Sequence, residues 1–184
     1  MYARYIGFVL AVLAGQRVAV AGVCPEDCAT VVSPGITAAA AQSSNEDHGH
    51  VVLGGELSLF ELWSPPRDGQ GGAAAAYAAA SGDGLNPHAR WAGAYVDGVY
   101  DFGTDATRFT VGPEAGMNVV GIDGGLVVAR RGGKTSAGFA IRPVFALGFV
   151  QFFARYERVG GDNVLEIGGL LKWPQRLPDP QRHN

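Results

Sequence analysis

The stretch Arg108-Phe109-Thr110-Val111-Gly112-Pro113-Glu114-Ala115-Gly116-Met117-Asn118-Val119 decides how this chain is read. Phe109, Val111, Pro113, Ala115, Met117 and Val119 share one parity, and Arg108, Thr110, Gly112, Glu114, Gly116 and Asn118 share the other. Alternate side chains of a strand point to opposite faces, so the segment has one apolar face and one polar or glycine face. Pro113 sits in its middle. Proline cannot donate to a strand ladder, so Pro113, and Pro143 further on, should each mark a bulge or an end of pairing.

The same period runs from Val51 to Trp173 and resolves into eight segments. Val51 to Trp63 sets Leu57, Leu59 and Trp63 against Glu56 and Ser58, with Glu61 out of pattern. Arg90 to Phe102 sets Ala92, Ala94, Val96, Tyr100 and Phe102 against Gly93, Tyr95, Asp97 and Asp101. After the opening stretch, Gly121 to Arg131 sets Ile122, Leu126 and Val128 against Asp123 and Gly125. Thr135 to Phe145 sets Phe139, Ile141 and Phe145 against Ser136, Gly138 and Arg142. Gly148 to Arg158 sets Val150, Phe152, Ala154 and Tyr156 against Gln151, Arg155 and Glu157. Asn163 to Trp173 sets Leu165, Ile167, Leu171 and Trp173 against Glu166, Gly168 and Lys172. The remaining segment, Ala73 to Gly82, does not alternate. Its alanines favour helix, and an even number of strands favours strand. Gly132-Gly133-Lys134 and Gly160-Gly161-Asp162 are hairpin chemistry, because glycine reaches positive φ without steric cost. Short turns imply an up-and-down antiparallel meander.

What flanks the period reads differently. Arg4 followed by the apolar run Tyr5 to Gly15, with Ala19 and Ala21 as a small-residue site, has the form of a cleaved export signal over residues 1–21. Residues 22–50 read as a linker, disordered or briefly helical: Ser33-Pro34-Gly35 is turn chemistry, four alanines follow from Ala38, and Gln42 to Asp47 is polar. Cys24 and Cys28 fall here. An oxidising compartment would permit a local disulfide, while two thiols alone fall short of a structural zinc site. Residues 174–184 form a polar tail.

Composition excludes several classes. The 184 residues carry a net charge of −3 and only 17% charged residues, below the usual ~25%. No basic stretch suggests nucleic-acid binding, dinucleotide and phosphate-loop signatures are absent, and no apolar run is long enough for a spanning helix. The histidines are His48, His50, His88 and His183. None lies in a clear strand or stands in a defined relation to a serine, so no catalytic set is expected. Asp47-His48-Gly49-His50 has ligand chemistry but reads as a solvated polar run, so neither a metal nor a cofactor is expected.

Eight tilted antiparallel strands can close into a small barrel, and two inverted barrels fit that count. A soluble one would turn its apolar parity inward, around a ligand held by Leu57, Phe109, Phe139, Ile141 and Phe152. A membrane-spanning one turns that parity toward lipid and the polar parity into a lumen. Three features favour the membrane form. The polar parity is rich in glycine, as a crowded lumen needs. Its charges are mixed, with Glu56, Asp97, Asp101, Glu114, Asp123, Glu157 and Glu166 against Arg108, Arg142, Arg155 and Lys172, so they could pair inside. Trp63, Tyr100, Phe102, Phe145, Tyr156 and Trp173 lie near segment ends, where interfacial girdles belong. The charged parity is then a lumen network that fills the interior, or else lines a narrow polar pore.

On this pattern the chain resembles the small eight-stranded outer-membrane barrels of the OmpA and OmpX type, over roughly Val51 to Trp173. Gly169-Leu170-Leu171-Lys172-Trp173 looks like the terminal strand with a final aromatic that such proteins use for insertion, although Pro174 to Asn184 follow it here. The resemblance implies an exported all-β transmembrane barrel in the outer membrane of a bacterium. Its partners would be the lipid bilayer and the insertion machinery, and its role structural or in surface interaction. It leaves any small-molecule ligand unknown.

Overall fold

The computed structural model describes residues 28–63 and 90–177. They form nine strands: β1 Cys28–Ser43, β2 His50–Trp63, β3 Arg90–Asp101, β4 Ala106–Met117, β5 Val120–Arg131, β6 Lys134–Leu147, β7 Val150–Val159, β8 Asp162–Lys172 and the two-residue β9 Gln175–Arg176. Each of β2 to β8 pairs antiparallel with its successor, and β1 pairs with both β2 and β8. The result is a closed eight-stranded barrel, and no helix occurs among the described residues.

Closure is staggered. From Gly116 the register runs through Trp91 and Leu62 to Ala29 of β1. In the other direction it runs through Gly121, Val144, Phe153 and Gly168 to Ala39 of the same strand. The ring therefore returns to β1 ten residues further along, from Ala29 to Ala39. With eight strands, that shear tilts each strand by about 40°.

One expectation is corrected. Residues 28–43, read as part of a linker, are β1, and they complete the ring. The inward residues of this strand are Ala29, Val31, Ser33, Gly35, Thr37, Ala39, Ala41 and Ser43, and the outward ones include Pro34, Ile36, Ala38 and Ala40. Both faces are small, so hydropathy does not alternate, and the backbone pairs on two sides regardless. The expected tail also begins in structure, since β9 pairs with Val31 and Val32 and continues the seam past the end of β8. The amide of Trp173 donates to Pro34 O at 2.8 Å, and that of Leu177 to Thr30 O at 2.9 Å. The signal segment 1–21, residues 22–27, the alanine-rich segment 73–82 and residues 178–184 lie outside the described residues. The seven other expected strands occupy their places within a few residues.

The prolines interrupt pairing without shifting it. β4 and β5 pair at Val111↔Leu126 and resume at Glu114↔Asp123, and β6 and β7 pair at Ile141↔Tyr156 and resume at Val144↔Phe153. The register on the two sides of each gap is the same, so neither proline makes a bulge. At the turns, Gly132 and Gly133 have φ of 55° and 80°, and Gly160 and Gly161 have 61° and 93°. Two successive positive φ values suit the right-handed twist of a tight hairpin.

The wall faces outward with its apolar parity. Leu126 is 69% exposed and Ile167 66%, while Arg142 and Arg155 are fully buried. Leu57 is half-buried on the outward parity, and Phe109, Phe139, Ile141 and Phe152 are exposed on it. Those five residues cannot enclose an apolar ligand, so the soluble ligand-binding barrel is set aside. Toward the end that carries the chain termini, the lumen holds Trp91, tilted against Phe60 with ring centroids 6.1 Å apart and packed against the buried apolar cluster that includes Val144, Phe153 and Leu170. Gly116 and Gly121 make room for it: a Cβ at either would come 2.3 Å from the indole.

Because β1 pairs on both sides, Ala40→Pro should leave a strand carbonyl without its donor and cost about 1–3 kcal/mol. Ala40→Val, at an outward exposed position, should be close to neutral. Denaturant titration of the folded band on unheated gels checks both.

Candidate functional site

The charged side chains of the inward parity meet along the barrel axis. Arg142 of β6 places Nη1 2.6 Å from Glu56 Oε2 of β2 and 3.8 Å from Asp97 Oδ2 of β3. Its Nη2 lies 2.5 Å from Asp123 Oδ2 of β5, to which Nε donates at 2.7 Å. Arg155 of β7 pairs with the same Asp97, and its Nη1 lies 3.4 Å from Glu157 Oε1 and 3.6 Å from Glu166 Oε2 of β8. Arg108 of β4 donates to Glu157 Oε2 at 2.6 Å and to Glu166, and its Nη2 is 3.6 Å from Asp101 Oδ2. Lys172 of β8 lies 2.6 Å from Glu56 Oε1 and 3.3 Å from Glu114 Oε2, and it donates to Ser58 Oγ at 2.8 Å.

The contacts are shared, so they form one ladder. Glu56 stands between Lys172 and Arg142, Asp97 between Arg142 and Arg155, and Glu157 and Glu166 between Arg155 and Arg108. The eleven lumen residues read from sequence are all buried, and each belongs to this chain of contacts. The strands bring them together because the period of two puts every one of them on the inward face, whatever its distance along the chain.

Aromatic rings complete the filling. The Arg142 guanidinium lies 4.8 Å from the Tyr95 ring centroid and 5.4 Å from that of Phe153, and Arg155 lies 5.7 Å from Phe153. Such stacking suits the flat, weakly hydrated guanidinium better than an ammonium. The parity already put Tyr95 on the polar face. Phe153 shares the parity of Gln151 and Arg155, so its inward position follows from the same rule.

Two residues of this system belong to the segment read as linker. His50, the first residue of β2, places Nε2 2.9 Å from Asp101 Oδ2 and Nδ1 3.6 Å from Glu46 Oε2. Glu46 in turn lies 2.9 Å from Arg131 Nη2 of β5. Hydropathy could not have found them, because the polar run around them has no period. Asp101 carries a second duty, accepting from the amides of Gly103 and Thr104 at 3.0 and 3.1 Å to shape the β3–β4 turn. Near it, a cavity of about 390 Å³ opens at the turn end, lined among others by Ser43, Asp101, Arg108, Arg131, Lys134 and Ser136. Among the described residues no cluster of three or more His, Cys, Asp or Glu is arranged to hold a metal.

Removing one member strands the others. Arg142→Met would leave Asp123 and Glu56 buried with fewer partners and should cost about 3–5 kcal/mol. Adding Asp123→Asn should recover part of that. Arg131→Ala, at an exposed pair, should cost within about 1 kcal/mol. Urea unfolding in lipid vesicles, followed by the Trp signal, distinguishes the three.

No protein-family model matches this chain, and no curated protein matches it. Among solved structures it is similar to Neisserial surface protein A, NspA, at 14% identity, covering 80% of this chain and 98% of that one with a TM-score of 0.35. It is also similar to Ail, the attachment invasion locus protein of Yersinia pestis, in complex with the heparin analogue sucrose octasulfate. There the identity is 11%, the coverage 80% and 99%, and the TM-score 0.35.

Proposed function

We propose that the protein is a bacterial outer-membrane β-barrel with a structural role, or one in surface interaction. The observation that carries this reading is the charge-free band on its outer wall. On the outward parity of the described strands, the charged residues are Glu61 and Arg90 toward the terminus end and Arg130 and Arg158 toward the turn end. Between them lies tilted strand about 25 Å tall, the height of a bilayer's apolar band. Trp63, Phe145, Phe149 and Trp173 lie near one rim and Tyr100, Phe102, Phe109 and Tyr156 near the other, in keeping with interfacial girdles. In water this surface would be an apolar patch far larger than soluble monomers carry.

Residues 1–21 would direct export, and the end of β8 from Gly169 to Trp173 would present the final aromatic to the insertion machinery. The opposite end of the barrel emerges only as short turns, at 44–49, 102–105, 132–133 and 160–161. So little backbone beyond the wall supports a structural role better than a docking one.

Fractionation of expressing cells tests the reading, with the membrane fraction run unheated and boiled. The expected result is an outer-membrane protein of heat-dependent mobility. Val111→Lys, at an outward position near mid-wall, should cost about 2–4 kcal/mol of insertion and deplete the membrane form. A soluble periplasmic protein indifferent to that substitution would end the proposal.

A further inference from the structure

The β1–β2 turn is tied across the mouth of the barrel. Glu46 sits at its crest and pairs with Arg131 at the end of β5. In a ring of eight, β5 lies on the far side from β1, so this single contact spans the opening. The near side is fixed by the amide of Ser44 donating to Asn163 O at 2.8 Å and by Asn45 donating to Asp162. Those ties hold the turn to β8 and do not depend on the reach of Glu46.

Two cationic groups hold Glu46: Arg131 donates to its Oε1 at 2.9 Å, and His50 lies against its Oε2. The His50 side chain is 6% exposed, and each ring nitrogen faces a carboxylate: Nδ1 faces Glu46 and Nε2 faces Asp101. A Cβ on Gly103 would come 2.3 Å from the His50 Cβ, so the ring is wedged beneath the β3–β4 turn with little freedom to move. Neither nitrogen makes a hydrogen bond of good angle. The attraction is therefore mainly ionic and depends on the charge of the ring. An imidazolium can donate from both nitrogens and attracts both carboxylates. A neutral imidazole has one donor and turns an acceptor lone pair toward the other carboxylate.

We propose that His50 is a proton-operated latch, which holds the β1–β2 turn as a strap over the barrel mouth when protonated and releases it when neutral. The charged groups around it are Glu46 on the turn, Asp101 on β3 with Arg108 of β4 behind it, and Arg131 of β5 beyond Glu46. Deprotonation removes the one positive charge that Glu46 and Asp101 share. Glu46 then keeps only the exposed pair with Arg131, which is too weak to hold the turn across the mouth, and the strap loosens. The turn-end cavity lies beside the strap, with Ser43, Asp101, Arg108 and Arg131 among its lining residues, so the strap's release widens the approach to the upper end of the ladder. Closure at low pH and opening at high pH follow from the sign: the latch is made by the charged ring.

The test is a distance across the mouth. Spin labels on Asp47→Cys, on the strap, and Lys134→Cys, on the opposite rim, are placed in the full chain with Cys24→Ser and Cys28→Ser. The protein is folded into phosphatidylcholine vesicles, and the distance distribution is read by pulsed EPR between about pH 5 and 8, the range in which histidine titrates. The expected result is one short, narrow distance at the acid end, joined by a longer, broad component as pH rises. His50→Gln should show the broad component at every pH. Glu46→Gln, which alters only a partly exposed surface residue and keeps the barrel core intact, should do the same. A distribution that ignores pH while His50 is present would overturn the proposal, and so would a pH response that survives in His50→Gln. The unheated gel band confirms that each variant is folded before it is measured.

Discussion

Four cations held out of water inside a barrel only wide enough for side chains set the terms for everything else in this fold. Arg108, Arg142, Arg155 and Lys172 share the lumen with seven carboxylates and reach them from opposite walls. Taking an ion into such an interior costs several kcal/mol after relaxation, so each must be met by opposite charge at short range. Arg142 alone joins β6 to β2, β3 and β5, and Arg108 joins β4 to β3, β7 and β8. Those links cross the lumen, where backbone hydrogen bonds cannot reach. They also fix register. A slip of one residue would move a whole strand's charges to the outer face and its aromatic and aliphatic residues inside. The ladder thus acts less as a source of net stability than as a penalty on every wrong closure.

The wall supplies what the ladder does not. Closing the ring through β1 leaves no unpaired edge along the shared length, so the backbone is satisfied without water. The gaps at Pro113 and Pro143 are tolerated because pairing resumes in the same register on the far side. The outward apolar parity then calls for an apolar surround, in keeping with the lipid setting proposed above.

How much of this was legible depended on how strongly a strand separates its two faces. Segments such as β4 and β7, with Arg and Glu on one parity and Phe and Val on the other, announced both the strand and the direction of each side chain. The same alternation named the lumen residues without any motif, because a period of two converts sequence position into side directly. β1 was illegible for the complementary reason. Serine, threonine, glycine and alanine line most of its inward face, alanine and proline much of its outward face, and a strand without contrast looks like a linker. That lack of contrast has a use. Small inward residues on one strand leave more of a narrow lumen to the long side chains of the others. His50 and Glu46 escaped for another reason, since their partners Asp101 and Arg131 are distant in sequence and meet them only after closure.

The two ends of the lumen are sealed by different chemistry, and this bears on whether anything passes through it. At the terminus end, Trp91 lies in the space left by Gly116 and Gly121, against the buried apolar cluster that includes Val144 and Leu170, and only repacking of an apolar plug could displace it. At the turn end the closure is ionic, a strap held across the mouth by Glu46, His50 and Arg131, beside a cavity that reaches Arg108. Between them Arg142, Arg155, Glu157 and Glu166 are fully buried and mutually neutralising, directly or through shared partners. A polar pore would require the plug to move and the ladder to open together, each against its own kind of cost. Water and protons can reach the ladder far more readily from the turn end, where only charge has to change. The barrel is therefore better understood as a closed vessel with one responsive rim than as a channel.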